Sequence, residues 1–128
     1  MPIQQTIPYE EGPFFITFTC HEWINLTDIT GSYDLVYKWF DHLKSKGHKI
    51  IGYVIMPNHI HVLIDFIKTH QTINLIIGNG KRFMAYDIIK RLKEAQQHKL
   101  INFKTIVMSK LIIGNCVFIS RTCKIDRI

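Results

Sequence analysis

The spacing of apolar residues changes several times along the chain, and each change predicts an element. Pro13 to Cys20 (PFFITFTC) is dense in β-branched and aromatic residues and predicts a strand. From Ser32 the period lengthens: Val36, Trp39, Phe40 and Leu43 recur at i, i+3, i+4 and i+7, the stripe of an amphipathic helix. Ser32 suits the N-cap, Asp34 suits the first turn, and Gly47 suits the stop. Two apolar runs follow, His48 to Met56 and His59 to Phe66, divided by the turn residues Pro57 and Asn58. They predict a tight hairpin. Gln71 to about Gln97 is helical in pattern, but Gly78-Asn79-Gly80 lowers helix propensity in its middle, so a kink or a break between two helices is expected there. Segments 101–107 (INFKTIV) and 111–119 (LIIGNCVFI) each have the composition of a strand. Residues 1–12 read as a polar leader, and His21 to Thr30 as a loop.

The predicted order is β-α-β-β-α-β. It implies an α+β fold of the ferredoxin-like (RRM-like) kind, an antiparallel sheet with helices on one face. Many functions use that architecture, so it decides none.

Composition narrows the partners. A chain of 128 residues, 47% hydrophobic and 20% charged, fits one domain with a real core and excludes wholesale disorder. No apolar run approaches the roughly 20 residues that span a bilayer, and Met1-Pro2-Ile3-Gln4-Gln5 lacks the basic and apolar parts of a signal peptide. A cytoplasmic protein with no membrane partner is expected. Sixteen Lys and Arg against ten Asp and Glu give a net charge of +6, which favours anionic partners, nucleic acid above all. Cys20, Cys116 and Cys123 are odd in number and widely spaced, with no Cys-x-x-Cys pair, so neither a disulfide framework nor a zinc finger is indicated.

The candidate chemistry lies in MPNHIHVLI, residues 56–64. Residues i and i+2 of a strand point to one face, with Cα atoms ~6.6 Å apart. His59 and His61 therefore share a face with Leu63 and Asp65, and two imidazoles so placed can serve one metal ion. Ile60, Val62, Ile64 and Phe66 make the other face wholly apolar, as a core requires. On the helix that follows, Met84, Ile88, Leu92 and Ala95 form a buried stripe, and Tyr86 falls roughly opposite it, beside Lys90, Lys93 and Gln97. A tyrosine there is either a solvated residue of a basic helix or one placed among cations that a phosphate would seek. Tyr53 and Trp23 could stack on bases, although a core position suits Tyr53 better. Gly78-Asn79-Gly80-Lys81 lacks the spacing and the terminal Ser or Thr of a P-loop.

MPNHIHVLI closely resembles the HUH motif (His, hydrophobe, His) of the single-tyrosine transposases, which include the insertion-sequence transposases and the REP-associated tyrosine transposases. NLIIGNGKRFMAYDIIKRL is similar to the helix that carries that family's catalytic tyrosine, with Tyr86 in the nucleophile position, and FITFTCHEW resembles its first strand. The resemblance covers about residues 12–97; residues 108–128 are atypical of the family and suggest a truncated or frameshifted end. It implies a single HUH palm domain spanning 1–128. His59 and His61 would bind a divalent ion, magnesium or manganese, with scissile phosphate and water as further ligands. Tyr86 would form a covalent 5′-phosphotyrosine on single-stranded or hairpin DNA. Lys81, Arg82, Lys90, Arg91 and Lys93 would contact phosphates. Relatives include homodimers that share active sites between subunits and also monomers.

In several members a polar residue one turn after the tyrosine completes the metal site; here it is Lys90, no ligand while protonated. Asp65, Asp87, Gln97 and Glu22 are the alternatives. Two other readings stand beside strand cleavage and transfer: a non-catalytic nucleic-acid-binding remnant, and a replication- or mobilisation-type nicking enzyme.

Overall fold

The computed structural model describes residues 11–97 and 118–125. The elements are β1 (Gly12–Cys20), a 3-10 turn (His21–Trp23), α1 (Leu26–Thr30), α2 (Tyr33–Ser45), β2 (Lys49–Ile55), β3 (His59–Phe66), α3 (Ile73–Gln97) and β4 (Phe118–Lys124). The strands form one sheet in the order β2-β3-β1-β4, and every neighbouring pair is antiparallel. This is the ferredoxin-like α+β arrangement that the hydrophobic pattern predicts.

Strict alternation in the two central strands decides which face is covered. Ile60, Val62, Ile64 and Phe66 of β3 are buried, as are Phe14, Ile16, Phe18 and Cys20 of β1. The stripes of α2 (Leu35, Val36, Trp39, Phe40, Leu43) and α3 (among them Met84, Ile88 and Leu92) join them in one core. Each fully buried Ile or Phe contributes about 1.5–3 kcal/mol relative to exposure, so a one-residue slip of β3 would lose several such terms at once. The other face of the sheet carries His59, His61, Leu63 and Asp65 of β3 with Phe15, Thr17 and Thr19 of β1. Phe15, Val54 and Ile119 on that face remain exposed. Among the described residues no helix lies over it.

Two expectations need correction. Residues 21–30 are not a plain loop: Leu26 and Thr27 are buried, and α1 forms around them, ending at Gly31 in the left-handed conformation (φ 62°). One apolar anchor suffices there, although the polar composition hides it. Gly78-Asn79-Gly80 does not divide the helix, because α3 runs unbroken from Ile73 to Gln97. Gly80 instead lets α3 lie against the indole of Trp39. The strand β4, Phe118–Lys124, pairs along β1 as an edge, and residues 111–117 of the expected 111–119 strand lie outside the described residues. Segment 101–107 lies outside the described residues.

Candidate metal centre

His59 and His61 open β3 at the hairpin turn. On one side β1 pairs Thr19 with His59 and Thr17 with His61, and on the other β2 pairs Val54 with His61. The turn is fastened by backbone bonds: Cys20 N–H donates to the Asn58 carbonyl at 2.8 Å, and Thr27 N–H donates to the Pro57 carbonyl at 3.1 Å. The imidazole centroids stand 4.9 Å apart with their planes at 71°. Phe15 stacks on His61 at 5.4 Å, its plane tilted by 18°.

Hydrogen bonds select the ring nitrogen that each histidine can offer. His61 Nδ1 lies 2.9 Å from the Thr17 hydroxyl. His59 Nδ1 lies 2.7 Å from Asn58 Oδ1. The Asn58 amide nitrogen donates to the Trp23 carbonyl at 3.4 Å, which leaves Oδ1 as an acceptor, so His59 Nδ1 carries the proton. With both Nδ1 atoms engaged, Nε2 is the nitrogen that each ring could offer to a metal ion. Such outer hydrogen bonds fix tautomer and ring angle in histidine metal sites. Burial, and then the neighbouring His59, lower the pKa of His61 from its ordinary value. The neutral ring that results is the form that binds a metal.

The pair therefore fits half of a divalent-ion site, with the remaining ligands left to phosphate and water. Among the described residues no third His, Cys, Asp or Glu completes a metal-binding group. Asp65 shares the face but sits four residues beyond His61 along β3. Asp87 is bound to Arg91 at 3.2 Å, and Glu22 lies 3.7 Å from His21. Replacing Thr17 by valine removes the hydroxyl and keeps the β-branched shape of a strand residue. Manganese affinity, measured by calorimetry, is expected to fall about 10–100-fold, whereas Thr17→Ser should keep most of it.

The other residues singled out in the sequence lie elsewhere. Tyr86 is 62% exposed, and α3 buries Met84 and Ile88 on its opposite side. Because α3 packs on the helix-bearing face, helix and sheet stand between this phenol and the histidines of its own chain. Arg82, Lys90 and Lys93 are exposed along α3, and Lys81 is half-buried. Arg82 donates to Asn79 at 2.6 Å.

Arg91 is committed inside the protein. It makes a two-pronged pair with Asp34, both bonds at 2.9 Å, and donates to the Gly31 carbonyl at 3.1 Å. Together with Asp87 these contacts tie α3 to the start of α2. Asp34 raises the pKa of Arg91, and Arg91 in turn lowers that of Asp34. Tyr53 packs on α2, its ring centroid 5.1 Å from Phe40 and 5.6 Å from Tyr37. A cavity of about 270 Å³ opens between α2 and α3, lined by Lys38, Trp39, His42, Lys46, His48 and Phe83 among others, and neither histidine of the pair reaches it.

The structure adds residues that sequence spacing did not single out for the site. Thr17 and Asn58 orient the rings. Arg121 of β4 pairs with Thr17, whose other partner is His61, so an exposed cation joins the histidine face two strands away. The signal for Asn58 was its place beside His59, where it reads as a turn residue. Arg121 fell in a segment without strand periodicity.

The comparisons with known proteins speak to the family and the fold. Residues 32–105, more than half of the chain, match the family model described as "Transposase IS200 like". That span includes both histidines and Tyr86. Among solved structures, a protein of Deinococcus radiodurans R1 that carries a provisional transposase assignment superposes with a TM-score of 0.54 at 12% identity. The match covers 90% of this chain and 97% of that one, and at such identity it speaks for the fold alone. No curated protein matches the chain.

Proposed function

The chain belongs to the IS200-like transposase family, and from that premise we propose that it cleaves and rejoins single-stranded or hairpin DNA through a metal-assisted phosphotyrosine. The observation that carries the reading is the histidine pair: same face, 4.9 Å apart, each Nδ1 held by a neighbour. His59 and His61 would hold magnesium or manganese through Nε2. A divalent ion there supplies Lewis-acid polarisation of a phosphoryl oxygen. The proteins' own groups do the rest. A tyrosine oxygen bonds to phosphorus, the P–O3′ bond breaks, and the departing 3′ oxygen takes a proton to become a hydroxyl. One phosphodiester is exchanged for another, so the 3′ hydroxyl can reverse the step without ATP. Arg121, and Lys81, Arg82, Lys90 and Lys93 of α3, are the cations proposed to contact the backbone phosphates. Arg91 is the weakest of the candidates because its donors already meet Asp34, Asp87 and a carbonyl. The protein would work without a membrane; among the described residues no helix is long and apolar enough to cross one.

The nucleophile we assign is Tyr86, working with the histidines of a second copy. Its place on the outer side of α3 supports this, since a phenol so exposed is available to another molecule and not to its own histidines. A homodimer with shared sites is the simplest assembly that satisfies the geometry. Mixing tests it. Neither the His59→Ala/His61→Ala double variant nor Tyr86→Phe alone should form a denaturation-resistant adduct with a labelled hairpin and manganese. Combined and allowed to exchange subunits, they should regain up to a quarter to a half of the wild-type yield. No adduct from the wild-type chain with any metal would favour the non-catalytic, DNA-binding reading.

A further inference from the structure

At the rim of the histidine pair, the backbone turns in a way that non-glycine residues avoid. Glu22 (φ 51°) and Trp23 (φ 58°) are both left-handed, one after the other. Such conformations persist only where the surroundings impose them, and here the imposing contacts are visible. The Trp23 carbonyl accepts from the Asn58 amide, and Ile24 N–H donates to the His21 carbonyl at 3.1 Å. The outcome is a tryptophan that is 63% exposed, its ring centroid 6.0 Å from that of His59. A large aromatic is thus held in solvent beside the candidate metal centre by the same asparagine that sets the His59 tautomer.

We propose that Trp23 is a stacking platform for an unpaired nucleobase next to the phosphate held at His59 and His61. The inference rests on the nuclease reading above and specifies how its substrate is recognised. An indole face beside a phosphate site suits single-stranded DNA, because the base of a nucleotide adjoining the reacting phosphate can lie flat on it while the phosphate reaches the histidines. Stacking of this kind accepts any base, since every base has a π face. A base inside a duplex has both faces covered and cannot use it. The platform therefore selects strandedness and not sequence. Trp23 also couples the two subsites: a base pressing on the indole bears on the carbonyl that orients Asn58, and through Asn58 on His59.

Intrinsic fluorescence reads the proposal directly, because the only other tryptophan, Trp39, is 3% exposed and packed on Phe18. Acrylamide should quench Trp23 in the free protein. A single-stranded oligothymidylate, its binding followed independently by anisotropy of a dye on the DNA, should protect Trp23 and quench its emission, whereas blunt duplex should not. Trp23→Ala should bind the oligothymidylate about tenfold more weakly, and Trp23→Phe within about twofold of wild type. The proposal is overturned if the oligothymidylate binds while Trp23 stays as open to acrylamide as before, or if Trp23→Ala, folded by circular dichroism, binds like wild type; the nuclease reading would survive both results. A wild-type chain that binds no single-stranded DNA would remove the two together.

Discussion

Replacing His61 by alanine is expected to abolish metal-dependent strand cleavage while leaving the protein folded. Loss of an outer hydrogen-bond partner already costs a metal site about 10–100-fold, so loss of one of the two proposed histidine ligands should cost at least about 100-fold in manganese affinity and in adduct yield. The structural cost is small by comparison. His61 is half-buried on the open face of the sheet, where it stacks on Phe15 at 5.4 Å and meets His59 edge-on at 4.9 Å. Removing one such ring contact costs about 0.5–1.5 kcal/mol. The buried residues on either side of it, Ile60 and Val62, point into the core and are untouched. Binding of single-stranded DNA should remain within a few-fold of wild type, since the cations and Trp23 stay in place. Equal manganese titrations for His61→Ala and wild type would remove this residue from the ligand set.

The second large effect is expected far from that site. Gly80→Ala should destabilise the protein although it replaces a glycine inside a helix. Propensity alone favours alanine by about 1 kcal/mol. A Cβ at position 80, however, would lie 2.7 Å from Trp39 Cζ2 and closer still to Cε2 and Nε1. The indole cannot yield easily, because it is buried, meets Phe18 edge-on at 5.4 Å and lies 5.9 Å from Phe40. Overpacking of a fixed core group costs about 1–3 kcal/mol, so the clash outweighs the propensity gain. Gly78 supplies the control. A Cβ there meets nothing within 4 Å, so Gly78→Ala should gain up to about 1 kcal/mol. Thermal denaturation of the two variants should move the midpoint in opposite directions. A stabilised Gly80→Ala would mean that α3 does not cross Trp39 as closely as described.

These two positions also show what a single sequence does and does not reveal. The alternation in β3 was unambiguous, since four apolar residues interleave with His59, His61, Leu63 and Asp65, and only one face could be buried. Element order followed from similar periodicities, and with it the antiparallel sheet. Gly80 was misleading because propensity is local, whereas its reason for being glycine is an indole 41 positions earlier. Arg91 looked like any cation of a basic helix. Its partner Asp34 is 57 residues away, and no spacing rule connects them. Tyr86 was correctly placed opposite the buried stripe of α3. Periodicity along one helix, however, says nothing about which face of the sheet that helix covers. The sequence therefore left open whether one chain or two build the site, and the exposed place of the phenol on α3 supports the proposed second copy as the source of the nucleophile.

The most direct measurement looks at the imidazoles themselves. Side-chain nitrogen spectra of the seven histidines, recorded during a manganese titration, distinguish Nδ1 from Nε2 in each ring. Broadening at the lowest metal concentrations should strike two rings first and together, His59 and His61, and strike Nε2 before Nδ1. Broadening spread evenly over the exposed histidines, or one that reached His42 and His48 before this pair, would contradict the account.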